Sequence, residues 1–232
     1  MEIAPGLHSI GQRKGGRVHA FLLDSGSDLI LIDTLFDGDG RGVLQELERL
    51  GRRASEIERI VLTHAHRSHL GGAAVLKRLT GATVYSHEWE ADIVEGDRRA
   101  QPVTLRPIPP LRIYPFRIGL ALGRPKHVPC QVDEALSDGD EVGPVQVLHT
   151  PGHSPGHLAF HWPERHALIA GDAIATWPRF GDGWPGFNLN LKQQRESLRR
   201  MAALDARVVG VGHGEPITEA AAERLHGLLE GR

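Results

Sequence analysis

The chain has 232 residues, 40% of them hydrophobic and 24% charged, with a formal net charge of −2. That balance fits a soluble globular chain and offers no cationic footprint for nucleic acid, and no apolar run approaches the ~18 residues a membrane span needs. The single cysteine, Cys130, cannot form an internal bridge, which suits a reducing cytoplasm.

The length fits a single domain over residues 1–232. Its start, Met1-Glu2-Ile3-Ala4-Pro5-Gly6, lacks the basic and apolar regions of a signal peptide. Apolar stretches at Leu7 to Ile10 and Val18 to Leu23, split by Gly15-Gly16, predict strands, and so does the run Leu29 to Ile32. That last run ends in Asp33-Thr34, which sets an acid where a buried strand reaches the edge of a sheet. Val43, Leu44, Leu47 and Leu50 recur at helical spacing within 41–52, with Gly51 as a stop. Ile57 to Leu62 predicts another buried strand. It runs straight into Thr63-His64-Ala65-His66-Arg67-Ser68-His69-Leu70-Gly71-Gly72. A helix over Leu70 to Leu79, stopped at Gly81, and a strand at Thr83 to Tyr85 complete an alternation that predicts an α/β fold.

Residues 101–129 hold Pro102, Pro107, Pro109, Pro110, Pro115, Pro125 and Pro129 with little periodicity. Such a stretch predicts a surface excursion, either a spacer or the wall of a pocket. The second half resumes with strands at Val145 to Leu148, Leu158 to Trp162 and Ala167 to Ala170. Each of the outer two empties into a motif, His149-Thr150-Pro151-Gly152-His153-Ser154-Pro155-Gly156-His157 and Gly171-Asp172. An irregular loop over 176–190 carries Trp177, Phe180, Trp184 and Phe187, either lining a pocket or anchoring the loop. A helix near Lys192 to Leu204 and a strand at Val208 to Val211 lead to Gly212-His213-Gly214. Thr218 is positioned to cap the closing helix, with Glu219 in its first turn and Gly231 near its end.

Three histidines within six residues could form an ordinary surface loop. The distant His153, Asp172 and His213 argue otherwise, since all three follow predicted strands and gather at one sheet edge. Imidazole nitrogens and carboxylate oxygens suit zinc, manganese and ferrous iron, and one carboxylate can bridge two ions.

From Asp33 to His213 the chain resembles the metallo-β-lactamase fold superfamily. The signature His-x-His-x-Asp-His of that family reads His64-Ala-His66-Arg-Ser68-His69, followed by His153, Asp172 and His213 in their own short motifs. The resemblance implies a four-layer αββα sandwich with the metal site at one edge of the two sheets. It implies that His64, His66 and His153 hold a first metal, that His69 and His213 hold a second, and that Asp172 bridges both and positions the nucleophile. It further implies one or two zinc ions, with iron or manganese as alternatives, and an outer role for Asp33 in orienting loop residues or a ligand imidazole. Ser68 is the departure. A neutral hydroxyl replaces a carboxylate ligand there, so the second ion is expected to bind more weakly or to be held by the remaining ligands and solvent.

The leading expectation is therefore a hydrolase acting on a small ester, thioester, lactone or amide, with metal-activated water as the nucleophile. A mononuclear iron oxygenase of the persulfide dioxygenase type, using His64, His153 and Asp172, is the second reading; bound iron and oxygen uptake with a persulfide would mark it. A non-catalytic metal-binding protein is the third, marked by metal without turnover. The short stretch after His213 counts against a typical glyoxalase II, and charge and length count against the nuclease branches. The partner expected is a small-molecule substrate, with no nucleic acid and no membrane. His157 reads equally as an outer hydrogen-bond partner of the site or a structural histidine, and His149 is expected to face away from the metals. Arg67 reads as a solvated loop arginine rather than an anion contact, and Cys130 as inert.

Overall fold

In the computed structural model, which describes residues 1–26, 28–124, 126–184 and 186–231, two sheets lie face to face with helices on both outer sides. The first sheet takes its strands in chain order: β1 (Glu2–Ala4), β2 (Leu7–Gln12), β3 (Val18–Asp24), β4 (Leu29–Ile32), β5 (Ile57–Val61), β6 (Thr83–His87) and β7 (Glu134–Leu136). Pairing is antiparallel from β1 to β4 and parallel from β4 to β7. The second sheet holds β8 (Glu141–Val142), β9 (Val145–His149), β10 (Leu158–Trp162), β11 (Ala167–Ile169) and β12 (Val208–Gly210), in the order β12-β11-β10-β9-β8. Only β11 and β12 run parallel among these pairs.

Strand side chains alternate between faces, and this alternation builds the layers. Phe21, Leu23, Ile30, Ile32 and Val61 of the first sheet meet Val147, Phe160 and Ile169 of the second, forming the seam between the sheets. The intervening residues Ala20, Leu22, Leu29 and Leu31 point the other way. On that side lie α1 (Lys14–Arg17), α2 (Arg41–Arg49), α3 (Arg67–Leu70), α4 (Ala73–Thr80) and α5 (Glu88–Val94). Val43 and Leu47 of α2 and Leu76 of α4 pack on the sheet. After α6 (Tyr114–Ala121), the outer face of the second sheet is covered by α7 (Leu191–Ala202) and α8 (Ala221–Glu230). Leu198, Met201 and Leu225 rest there on Ala159, Leu168 and Val209. Each fully buried aliphatic or phenyl side chain contributes about 1.5–3 kcal/mol, so the three apolar layers hold the strand ends in fixed register. The expected four-layer αββα order is the one observed.

Three local readings change. The excursion over 101–129, apart from Pro125, which lies outside the described residues, contains a helix, α6. Pro115 sits in its first turn, where a missing N–H does no harm, so the proline opens a helix there. The short α5 also went unpredicted, because its N-cap is His87, whose Nδ1 accepts the Trp89 N–H. Thr218 and Glu219 lie before the last helix, which starts at Ala221. Paired backbone hydrogen bonds between Ile217 and Val209 keep the chain extended up to that point.

Buried between β2 and β3, Ser9 Oγ lies 2.7 Å from His19 Nδ1. Burial, and then the nearby His213, push the His19 pKa down from 6.5 to about 4. Unfolded chains take up this proton near pH 6.5 and the folded one only near 4, so stability is full above 6.5 and is lost as pH falls towards 4. The expected loss is about 3 kcal/mol. Urea unfolding at pH 7 and pH 4.5 should show a smaller acid loss in His19→Gln than in wild type; equal losses would assign the effect to other groups.

Candidate metal centre

The site assembles where strands of both sheets end. Three residues after β5 comes His64; β9 leads to His153, β11 to Asp172 and β12 to His213. The ligand atoms of His64, His66, His153 and Asp172 all lie within 4.8 Å of one another, and so do those of His69, Asp172 and His213. Asp172 is shared by the two groups, as the resemblance implies.

In the first group His66 Nδ1 lies 3.0 Å from both His64 Nε2 and His153 Nε2. Neighbouring nitrogens around a tetrahedral zinc stand roughly 3.3 Å apart, close to this spacing. Burial drives the pKa of His64 and His153 well below 6.5 and that of His66 to about 4. These imidazoles are thus neutral at neutral pH, the form that donates lone pairs to a metal.

The second group has its outer nitrogens already engaged. His69 Nδ1 donates to Asp33 Oδ2 at 2.8 Å and His213 Nδ1 donates to the Gly16 carbonyl at 2.9 Å. Their Nε2 atoms therefore face Asp172, at 3.2 Å from Oδ1 and 3.3 Å from Oδ2. His69 Nε2 and Asp172 Oδ1 are buried with no hydrogen-bond partner among the described residues. Burial disfavours a charged His69, but Asp172 and Asp33 outweigh it and raise its pKa to about 10. Burial likewise opposes ionisation of Asp172, yet His213, His69 and His153 hold its carboxyl well below the usual range. The two carboxylates thus favour a positive charge here, carried by His69 in the metal-free chain, and the donor set fits a metal ion that would take its place.

Outer residues fix these ligands in orientation. Asp33 Oδ1 accepts the Thr63 N–H at 2.8 Å, and Thr63 Oγ1 in turn lies 3.0 Å from His64 Nδ1. One carboxylate thus braces ligands of both groups. His157 belongs to neither group; its Nε2 accepts the Asp172 N–H at 3.1 Å and its Nδ1 meets Thr150 Oγ1 at 2.8 Å. Burial pushes its pKa down to about 3, consistent with that neutral tautomer. At Gly212 a Cβ would overlap the Asp172 carboxylate, so only glycine lets this strand end approach the bridge.

The centre forms the floor of a cavity of about 460 Å³, reached by His66, Asp172 and His213. Ser68 lines the same cavity, half-buried. Trp184 stacks on His213 with ring centroids 3.9 Å apart, and Phe187 stands edge-on to His66. Trp184 and Phe187 pack with Val103 and Ile113, so the two irregular loops together make a pocket wall. Phe180 joins the core over the second sheet instead.

A family model of the metallo-beta-lactamase superfamily matches residues 13–213, a span that includes every residue of both groups. The chain belongs to this superfamily. The metallo-beta-lactamase family protein TTHA1429 from Thermus thermophilus is 29% identical and superposes with a TM-score of 0.70, covering 99% of this chain and 80% of that one. Protein YobT of Bacillus subtilis is 26% identical over 226 residues, 92% of this chain and 89% of YobT. A hydroxyacylglutathione hydrolase of Pseudomonas putida is 32% identical over 159 residues, 65% of this chain but 45% of that enzyme.

One residue of this metallo-beta-lactamase superfamily member escaped the sequence reading. Glu90, 2% exposed on α5, accepts the Ala65 N–H at 3.1 Å, the Ser154 hydroxyl at 2.6 Å and the Gly156 N–H at 3.1 Å. It ties the loop of His64 and His66 to the loop of His153. Burial raises its pKa, against those hydrogen bonds, which lower it. Its one sequence signal is an acid on the helix face that also carries Ile93 and Val94. Arg67 also differs from expectation. Half-buried, it donates to the Phe36 and Lys126 carbonyls and stacks 4.9 Å from the centroid of the Phe36 ring. His149 faces away from the centre, stacked on His87, and Cys130 is buried, which raises its thiol pKa.

Proposed function

We propose that this chain is a metal-dependent hydrolase of a small ester, thioester, lactone or amide. The observation that carries this reading is the double convergence on Asp172 at the floor of a cavity partly walled by aromatic side chains. Bound there, zinc, or iron or manganese in its place, would supply hydroxide at neutral pH and polarise the scissile carbonyl. His64, His66 and His153 would hold one ion and His69 and His213 the other. Asp172 stays ionised, so it can bridge and orient but is a poor proton acceptor. Trp184 and Phe187 keep water from the apolar part of the substrate. Preassembly of His69 and His213 around Asp172 favours two ions over a mononuclear oxygenase site.

The test is a panel of esters, thioesters, lactones and amides with protein of measured metal content. Turnover should vanish with a chelator and in His66→Ala, and return when metal is added back to wild type. Metal bound without turnover on any class would overturn the reading. Ser68 bears on the second ion separately. Ser68→Asp adds a carboxylate beside His69 and should raise the metal-to-protein ratio towards two, measured by elemental analysis. A wild type that already holds two ions tightly, unchanged in the variant, would sink this expectation.

A further inference from the structure

The cavity is strongly cationic although acids outnumber bases in the chain, 29 to 27. Its lining includes Arg67, Arg98, Arg99, Arg124 and Lys126, and Asp172 is its one carboxylate among the described residues. Some basic side chains elsewhere find acids at close range, among them Arg59–Asp28 at 2.5 Å, Arg52–Asp24 at 2.7 Å, Lys77–Asp133 at 2.7 Å and Arg200–Asp138 at 2.8 Å. Within the cavity lining, Arg98 reaches Asp92 at 3.5 Å, while Arg67, Arg99, Arg124 and Lys126 enter no ion pair among the described residues. Arg67 is held by two carbonyls and the Phe36 ring, so part of its guanidinium fork is fixed in place with donors to spare. Arg99, Arg124 and Lys126 are exposed and can draw an anion inward from solvent. Ser68, on the same lining, adds no negative charge to repel it.

From this we infer that the substrate carries a carboxylate or phosphate, remote from the reacting bond, that binds Arg67, Arg99, Arg124 and Lys126 while its apolar body lies against Phe116, Trp184 and Phe187. The inference rests on the hydrolase reading for the reaction but not for the binding. It assigns the substrate class: an anionic ester or thioester rather than a neutral one.

Binding to the metal-loaded protein tests it without turnover, using 4-phenylbutyrate, 4-phenylbutyl phosphate and the neutral 4-phenylbutanol in calorimetric titrations. At low salt one or both anions should bind at least about tenfold more tightly than the alcohol. That ratio should fall towards one in the Arg99→Ala/Arg124→Ala/Lys126→Ala variant and, for wild type, at about 0.5 M salt. The tighter of the two anions identifies the group. A ratio near one in wild type overturns the inference, and so does a high ratio that the triple variant retains, since the anion would then be held without Arg99, Arg124 and Lys126. A protein that hydrolyses neutral esters with a ratio of one loses this inference alone. An inactive protein with a high, variant-sensitive ratio loses the hydrolase reading and keeps this one.

Discussion

Asp172→Asn is expected to lose its bound metal and, with it, at least about 10³-fold in turnover, since a metal contributes several kcal/mol to the transition state. Asparagine has nearly the shape of aspartate, so Gly212 and the Asp172 N–H bond to His157 can stay as they are. What changes is the charge. Asp172 lies 3.2–3.7 Å from the Nε2 atoms of His64, His69, His153 and His213, and no other carboxylate belongs to either ligand group. An amide there offers one neutral oxygen and turns a donor towards at least one imidazole. Elemental analysis after dialysis should read well below one ion per chain, against at least one for wild type. A variant that keeps wild-type metal content would show that the histidines suffice and that Asp172 is not the bridge.

Glu90→Ala should be the most damaging change outside the ligands themselves. It strands the Ala65 N–H, the Gly156 N–H and the Ser154 hydroxyl in a buried place. Each orphaned donor costs about 1–3 kcal/mol, so a loss of about 3 kcal/mol or more is expected in urea unfolding of the metal-free chain. Metal affinity should fall about 10–100-fold, because the loops of His64, His66 and His153 lose their common anchor. Glu90→Gln should share part of both losses, since its amide presents a donor where the carboxylate accepts. Competition with a chromogenic chelator measures the second effect. Stability lost without any loss of affinity would reduce Glu90 to a packing residue.

Much of the site was legible because its chemistry is written locally. His64, His153, Asp172 and His213 each stand just beyond an apolar strand, and a strand end is where a sheet presents side chains to a cleft. The strands Leu29–Ile32 and Leu158–Trp162 were readable to the residue because the first is buried throughout and the second at every position but the half-buried His161. Glu90 was not legible, since its three partners come from two loops that reach it only in the folded chain. The same holds for Arg67, whose burial depends on Phe36, 31 residues away. His157 could be read either way until the fold set its Nε2 against the Asp172 N–H. In α6 the sequence signal was present but pointed the wrong way, because a proline opening a helix looks like one that breaks it.

The ligands come from both sheets: His64, His66 and His69 follow β5 of the first, and His153, Asp172 and His213 follow strands of the second. A metal held between them would therefore join the two halves of the sandwich at one end, while further along the seam apolar side chains such as Leu23, Ala167 and Trp162 pack together. Binding energy at the centre becomes folding energy for that end. A bound metal is therefore expected to protect the ligand end more than the far end, and hydrogen exchange with and without metal checks this.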